Sequence, residues 1–153
     1  SCVPMLEVAR RREHGAVEFH EGDAMDLHWP DASFDVVTIG FGLRNVADRA
    51  LALREFRRVL RPGGRLMVLD FSTPTSRALK AVHDTFYFTL MPTVGWAVAW
   101  HNDAHHYTAD SIRTWLTRDE LSAAMTDAGL VDAYYVSLST GFATVHFAGR
   151  ASD

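Results

Sequence analysis

Arg44 and Asn45 are adjacent in the hexapeptide Phe41-Gly42-Leu43-Arg44-Asn45-Val46, which follows an apolar strand and opens into a helix. Their position gives them chemical weight. In an open α/β sheet, ligands sit outside the carboxyl ends of the strands, so side chains carried there can meet a bound substrate. A guanidinium beside a carboxamide is expensive to desolvate unless something polar faces it. Asp23, in Gly22-Asp23-Ala24, can accept a hydrogen bond from the amino group of an adenine ring while the Ala24 backbone reads the ring edge; a Gly-Asp pair after a strand is equally a turn. His101, His105 and His106 lie close together, and i, i+4 spacing on a helix can bring two imidazoles to one metal. No matching carboxylate or cysteine set accompanies them, so polar surface is the expected role and no metal site is predicted. Arg54, Arg57, Arg58 and Arg61 read as a solvated helix face rather than an anion site.

The elements that must hold these residues alternate between strand and helix patterns, as in βαβ units with a parallel sheet. Met5 to Arg12 reads as the end of a helix closed near Gly15, and Val17-Glu18-Phe19-His20 as a short strand leading into Gly22-Asp23-Ala24. Pro30-Asp31-Ala32-Ser33 is turn chemistry, and the β-branched run from Phe34 to Ile39 suits a central strand. A helix over about 48–60 places Ala52, Phe56, Val59 and Leu60 on one face, and Pro62-Gly63-Gly64 stops it. Arg65 to Phe71 is a second buried strand. Thr117 and Glu120 have capping-box spacing ahead of a helix through Leu121, Ala124, Met125 and Ala128, with Gly129 suited to its end. Strands around 133–138 and 143–148, joined by Ser139-Thr140-Gly141, form a closing antiparallel pair.

At 153 residues the chain suits one domain. Its 48% hydrophobic and 22% charged residues are globular composition. A net charge of -4, without a continuous arginine patch, argues against a nucleic-acid partner. Cys2 is the single cysteine, so no internal disulfide forms and a reducing compartment is expected; without a secretion signal the reading is cytoplasmic. Thr85 to Trp100 carries no charge, but a spanning helix needs about 20 apolar residues, and Pro92 and Gly95 break the run. It is read as a buried or interfacial segment.

Several of these stretches together resemble a known family. Asp23-Ala24, Pro30-Asp31-Ala32-Ser33-Phe34-Asp35 and Arg58-Val59-Leu60-Arg61-Pro62-Gly63-Gly64 follow the order seen in methyltransferases that use S-adenosylmethionine. Phe41-Gly42-Leu43-Arg44-Asn45-Val46, Leu69-Asp70-Phe71-Ser72 and Tyr107-Thr108-Ala109-Asp110-Ser111-Ile112 resemble the ubiquinone/menaquinone biosynthesis C-methyltransferase family, from about Met5 to Phe147. The resemblance implies an α/β, Rossmann-like class I methyltransferase sheet, mostly parallel with an antiparallel C-terminal strand pair and lacking the N-terminal strands. It implies one truncated domain over 1–153 with an apolar substrate cover at about 74–115. The cofactor would be S-adenosyl-L-methionine, contacted by Asp23, Ala24 and Gly40. The substrate would be a lipophilic polyprenylated quinol, lined by Phe41, His101 and Tyr107, with Arg44 stabilising developing phenolate charge and Asn45 orienting the ring. An arginine stays protonated, so a water beside Arg44 or a histidine is the better proton acceptor. A peripheral contact with the inner face of the membrane and a homodimer accompany this expectation.

The family's glycine-rich cofactor loop and ribose-binding acid lie upstream of the Met-Leu pair seen here as Met5-Leu6, so the chain is read as a fragment of a longer enzyme. Gly40 stands where relatives often carry serine, which leaves no side-chain hydroxyl for the cofactor, and Asp70 replaces a common glutamate. Two alternatives remain open: a methyltransferase-fold binding module without catalysis, and a methyltransferase for another small apolar acceptor such as a sterol or polyketide.

Overall fold

The computed structural model describes residues 3–12, 15, 17–72, 85 and 115–152. In chain order the elements are α1 (Val3–Arg12), β1 (Phe34–Gly40), a 3-10 turn (Leu43–Asn45), α2 (Arg49–Val59), β2 (Leu60–Phe71), α3 (Arg118–Asp127), β3 (Val131–Leu138), a second 3-10 turn (Ser139–Gly141) and β4 (Ala143–Gly149). The expected cover at 74–115, with His101 and Tyr107, lies outside the described residues except for Thr85 and Trp115.

The four strands form one sheet in the order β1-β2-β4-β3. β1 runs parallel to β2, while β4 is antiparallel to both β2 and β3. This α/β arrangement contains the expected C-terminal antiparallel pair. β4 inserts beside β2, so one of the three pairings among the described strands is parallel.

Local chemistry explains the helices. Asp48 caps α2 by accepting the Leu51 amide at 2.9 Å. Ala52, Leu53, Phe56 and Val59 are buried on one face of α2. At α3 the capping box forms: Thr117 accepts the Glu120 amide and the Glu120 carboxylate accepts the Thr117 amide at 2.8 Å. Gly129 follows in the left-handed conformation, φ +83. Arg57 Nε donates to the Gly129 carbonyl at 2.9 Å, and Arg58 binds the Leu27 and Trp29 carbonyls with Asp31 and Glu55. This row of arginines is thus partly a set of clamps, not a plain solvated face.

Three expectations change in the structure. Residues 17–20 form no strand: among the described residues they pair with none of the four strands, although the outer edge of β1 is open there, and the Phe19 carbonyl instead accepts from Arg10 Nη2 at 2.8 Å. α2 ends at Val59 and Leu60 already pairs with Phe34. Pro62 explains this: proline disfavours the helical region for the residue before it, and its ring clashes with the carbonyl four residues back. Pro62-Gly63-Gly64 then lies within β2 as a bulge, between the Phe34–Leu60 and Val36–Arg65 pairs. Only glycine fits at 64, where a Cβ would stand 2.8 Å from the Arg61 carbonyl oxygen and 3.0 Å from that of Asp35. Lastly, β1 is an edge strand among the described residues, not a central one.

The sheet is apolar on both faces. Leu66, Val68, Ala148 and the half-buried Val37 and Ile39 share a core with Leu53, Phe56, Leu121 and Met125 from α2 and α3. The opposite face carries Met67, Leu69, Phe71, Val145 and Phe147, and at its margins the exposed Val36, Tyr134, Val136 and Leu138. No helix of the described residues is long and apolar enough to cross a membrane.

Candidate functional site

The parallel pairing brings the carboxyl ends of β1 and β2 to one edge, with Gly40 beside Leu69. The Phe41 amide continues the ladder to the Leu69 carbonyl at 2.8 Å. Phe41 then turns sharply, at φ +54, a conformation that is costly for a residue with a Cβ and recurs at binding sites. Leu43 is fully buried and anchors the following 3-10 turn, in which Asn45 and Val46 donate back to Gly42 and Leu43. Burial of Leu43 thereby sets where its two neighbours point.

Arg44 points inward. Its Nη1 donates to Asp70 Oδ1 at 2.8 Å and to the Phe41 carbonyl at 2.6 Å. Asp70 also accepts the Phe71 amide at 2.9 Å and, at 3.4 Å, the Arg44 amide. The guanidinium carbon sits 4.9 Å from the Phe71 ring centre, and that ring is 4.9 Å from Phe41. Only 10% of the Arg44 side chain and 1% of the Asp70 side chain are exposed. Arg44 is therefore a neutralised strut that fixes the turn to the end of β2, while Asn45 is exposed on its rim. A Cβ at Gly40 would meet nothing within 4 Å, so the backbone there is approachable.

Asp23 and Ala24 occupy a separate loop. Asp23 is exposed and closes a turn, its Oδ1 accepting the Met25 amide at 2.9 Å. Ala24 packs against the core. The loop is tied to the segment after Asn45 by the Asp48 amide, 3.4 Å from Met25 Sδ, and to α2 by the Leu27 amide, which donates to Glu55 at 3.0 Å. Hydrogen bonding from Arg58 holds the Glu55 carboxyl below its ordinary range. A recess of about 400 Å³ opens between α1 and the 19–22 segment that precedes Asp23 in the chain, lined by Met5, Leu6, Ala9, Phe19, His20 and Gly22 among others.

Asp70 was not assigned a role from sequence, although a signal existed. Alternation along Leu66, Val68 and Asp70 places the carboxylate on the buried face, where it requires a cation. Arg49 carried no signal at all.

Residues 3–150 match the model of the ubiE/COQ5 methyltransferase family. The chain belongs to that family. It is 42% identical over 152 residues to the ubiquinone/menaquinone biosynthesis C-methyltransferase UbiE of Hahella chejuensis, covering 96% of this chain and 61% of that protein. The UbiE of Ectopseudomonas mendocina is 44% identical over 147 residues, covering 93% of this chain and 57% of the relative. The chain thus spans about three-fifths of the length of these curated relatives. In fold, it superposes on a SAM-dependent methyltransferase from Thermotoga maritima with a TM-score of 0.68 at 21% identity, over 97% of this chain and 70% of that one. Within the ubiE/COQ5 family match fall the Phe41–Val46 turn, Asp70 and the Asp23 loop alike.

Proposed function

We propose that this chain is the substrate-facing part of an S-adenosylmethionine-dependent C-methyltransferase that acts on a polyprenylated quinol in quinone biosynthesis. The observation that carries this reading is the strained Phe41–Val46 turn, locked at the carboxyl end of β1 by the buried Arg44–Asp70 pair in a chain of the ubiE/COQ5 family.

The residues present fit the cofactor. The recess that ends at Gly22 has largely apolar walls suited to a purine, Asp23 and Ala24 are the next residues along the chain, and Gly40 leaves the sheet edge open to close approach. When bound, S-adenosylmethionine supplies a methyl group on a positively charged sulfur. The protein's own task is to orient the acceptor ring and exclude water. Phe41 and Phe71 offer an aromatic wall for that ring, and Asn45 offers a donor and an acceptor at its edge. Arg44 acts by holding the turn that carries Phe41 and Asn45.

Transfer of labelled methyl to a demethylmenaquinol analogue tests the reading, using this chain alone and joined to the amino-terminal portion of the Hahella relative. Ring-carbon methylation that is lost in Asn45→Ala is expected. Cofactor binding without transfer in either form would leave only a binding module.

A further inference from the structure

The charge of Arg44 is consumed within the protein, since Asp70 lies 2.8 Å away and both side chains are withdrawn from water. A second guanidinium stands next to it. Arg49, the first residue of α2, is half-buried; its Nη2 donates to the Arg44 carbonyl at 3.3 Å and its guanidinium carbon lies 5.3 Å from the Trp115 ring centre. Its Nε is buried and has no hydrogen-bond partner. Among the described residues no carboxylate lies within 4.0 Å of it to form a salt bridge: Asp70 is taken by Arg44, and the adjacent Asp48 accepts the Leu51 amide. Buried N–H groups are costly to leave unmade, so each such case asks for a missing acceptor.

From this we infer that Arg49, not Arg44, is the cation that selects an aromatic acceptor in its ionised, phenolate form. A planar guanidinium laid against an indole and bonded to the turn that carries Phe41 suits an oxygen anion on a flat ring: the arginine meets the charge and the aromatics meet the ring. A charge acts more strongly in such surroundings than in water. Ionising the ring hydroxyl raises electron density on the ring carbons, which is what a carbon-methyl acceptor needs. The identity of the ring as a quinol rests on the function proposed above; anion selection by Arg49 does not.

Spectrophotometric titration of 4-nitrophenol bound to the 153-residue chain tests the assignment. The bound phenol is expected to ionise about one pH unit lower than in buffer, a tenfold preference for the anion. R49K should keep most of the shift and R49Q should abolish it. Because glutamine can still donate to the Arg44 carbonyl, a purely structural role for Arg49 would leave the shift in R49Q intact, and that result overturns the inference. Should R49Q fail to fold, the native chain decides alone: 4-nitrophenolate must bind at least about tenfold more tightly than the neutral 4-nitroanisole, and equal affinities refute the assignment. Absence of quinol methylation with the shift present would remove the proposed reaction and leave this site standing.

Discussion

Replacing Asp70 with Asn removes one charge and leaves the shape and an acceptor oxygen in place. Asp70 is 1% exposed and meets Arg44 at 2.8 Å, so the variant strands a guanidinium whose side chain is only 10% exposed. Breaking one side of such a buried pair costs about 3–5 kcal/mol. The lower end applies here, because an asparagine oxygen can still accept the Phe71 amide and the Phe41 carbonyl still takes Arg44 Nη1. With a urea slope of about 2 kcal/mol per molar, a loss of ~3 kcal/mol moves the unfolding midpoint down by ~1.5 M. Arg44→Met should lose a comparable amount. The double variant should lose less than the two singles together by roughly 2 kcal/mol, since each single already forfeits the same interaction. Urea unfolding followed by tryptophan fluorescence reads all three. Strict additivity, or a midpoint drop below about 0.5 M in D70N, would show that the pair is not the strut described here.

Two further outcomes follow from buried groups away from this edge. His146 is 1% exposed, donates from Nε2 to the Arg118 carbonyl at 3.0 Å, and has an unpartnered Nδ1, while Asp119 and Tyr135 lie in its surroundings. Burial pushes its pKa below the ordinary 6.5, so its contribution to stability is complete above pH 6.5 and is lost as the pH falls from there toward the folded-state value. The urea midpoint of the native chain should therefore drop more steeply than that of His146→Gln on acidification below pH 6.5; parallel curves would contradict this. Gly64→Ala forces a Cβ to within 2.8 Å of one backbone oxygen and 3.0 Å of another, and should cost about 1–3 kcal/mol by the same unfolding assay, with Gly40→Ala, which meets no atom, as the mild control.

The features legible from sequence are those decided within a few residues. Thr117 and Glu120 form their capping box because three positions of helix bring them together, whatever else the chain does. The apolar face of α2 was legible for the same reason, whereas the cap by Asp48 was not read from the sequence. Pro62 was recognised as a stop, but the placement of the stop was not: whether the following residues turn or pair depends on β1, and Leu60 found Phe34 there. Residues 17–20 show the converse, since a β-type pattern becomes a strand only when it docks along another strand, and these residues dock on none of the described ones.

By itself, the order of residues determined that a guanidinium and an amide would follow β1 on a short turn, and that an apolar sheet would be backed by amphipathic helices. What only the tertiary structure decided was which charge is spent and which is left. Arg44 and Asp70 are 26 positions apart and meet because β1 and β2 run parallel in one register. Electrostatic pairing depends on distance in space and on burial, and a linear sequence carries neither. For that reason Arg49, with no pattern to mark it, emerges as a cation without a carboxylate partner among the described residues, while the more conspicuous arginine holds the turn in place.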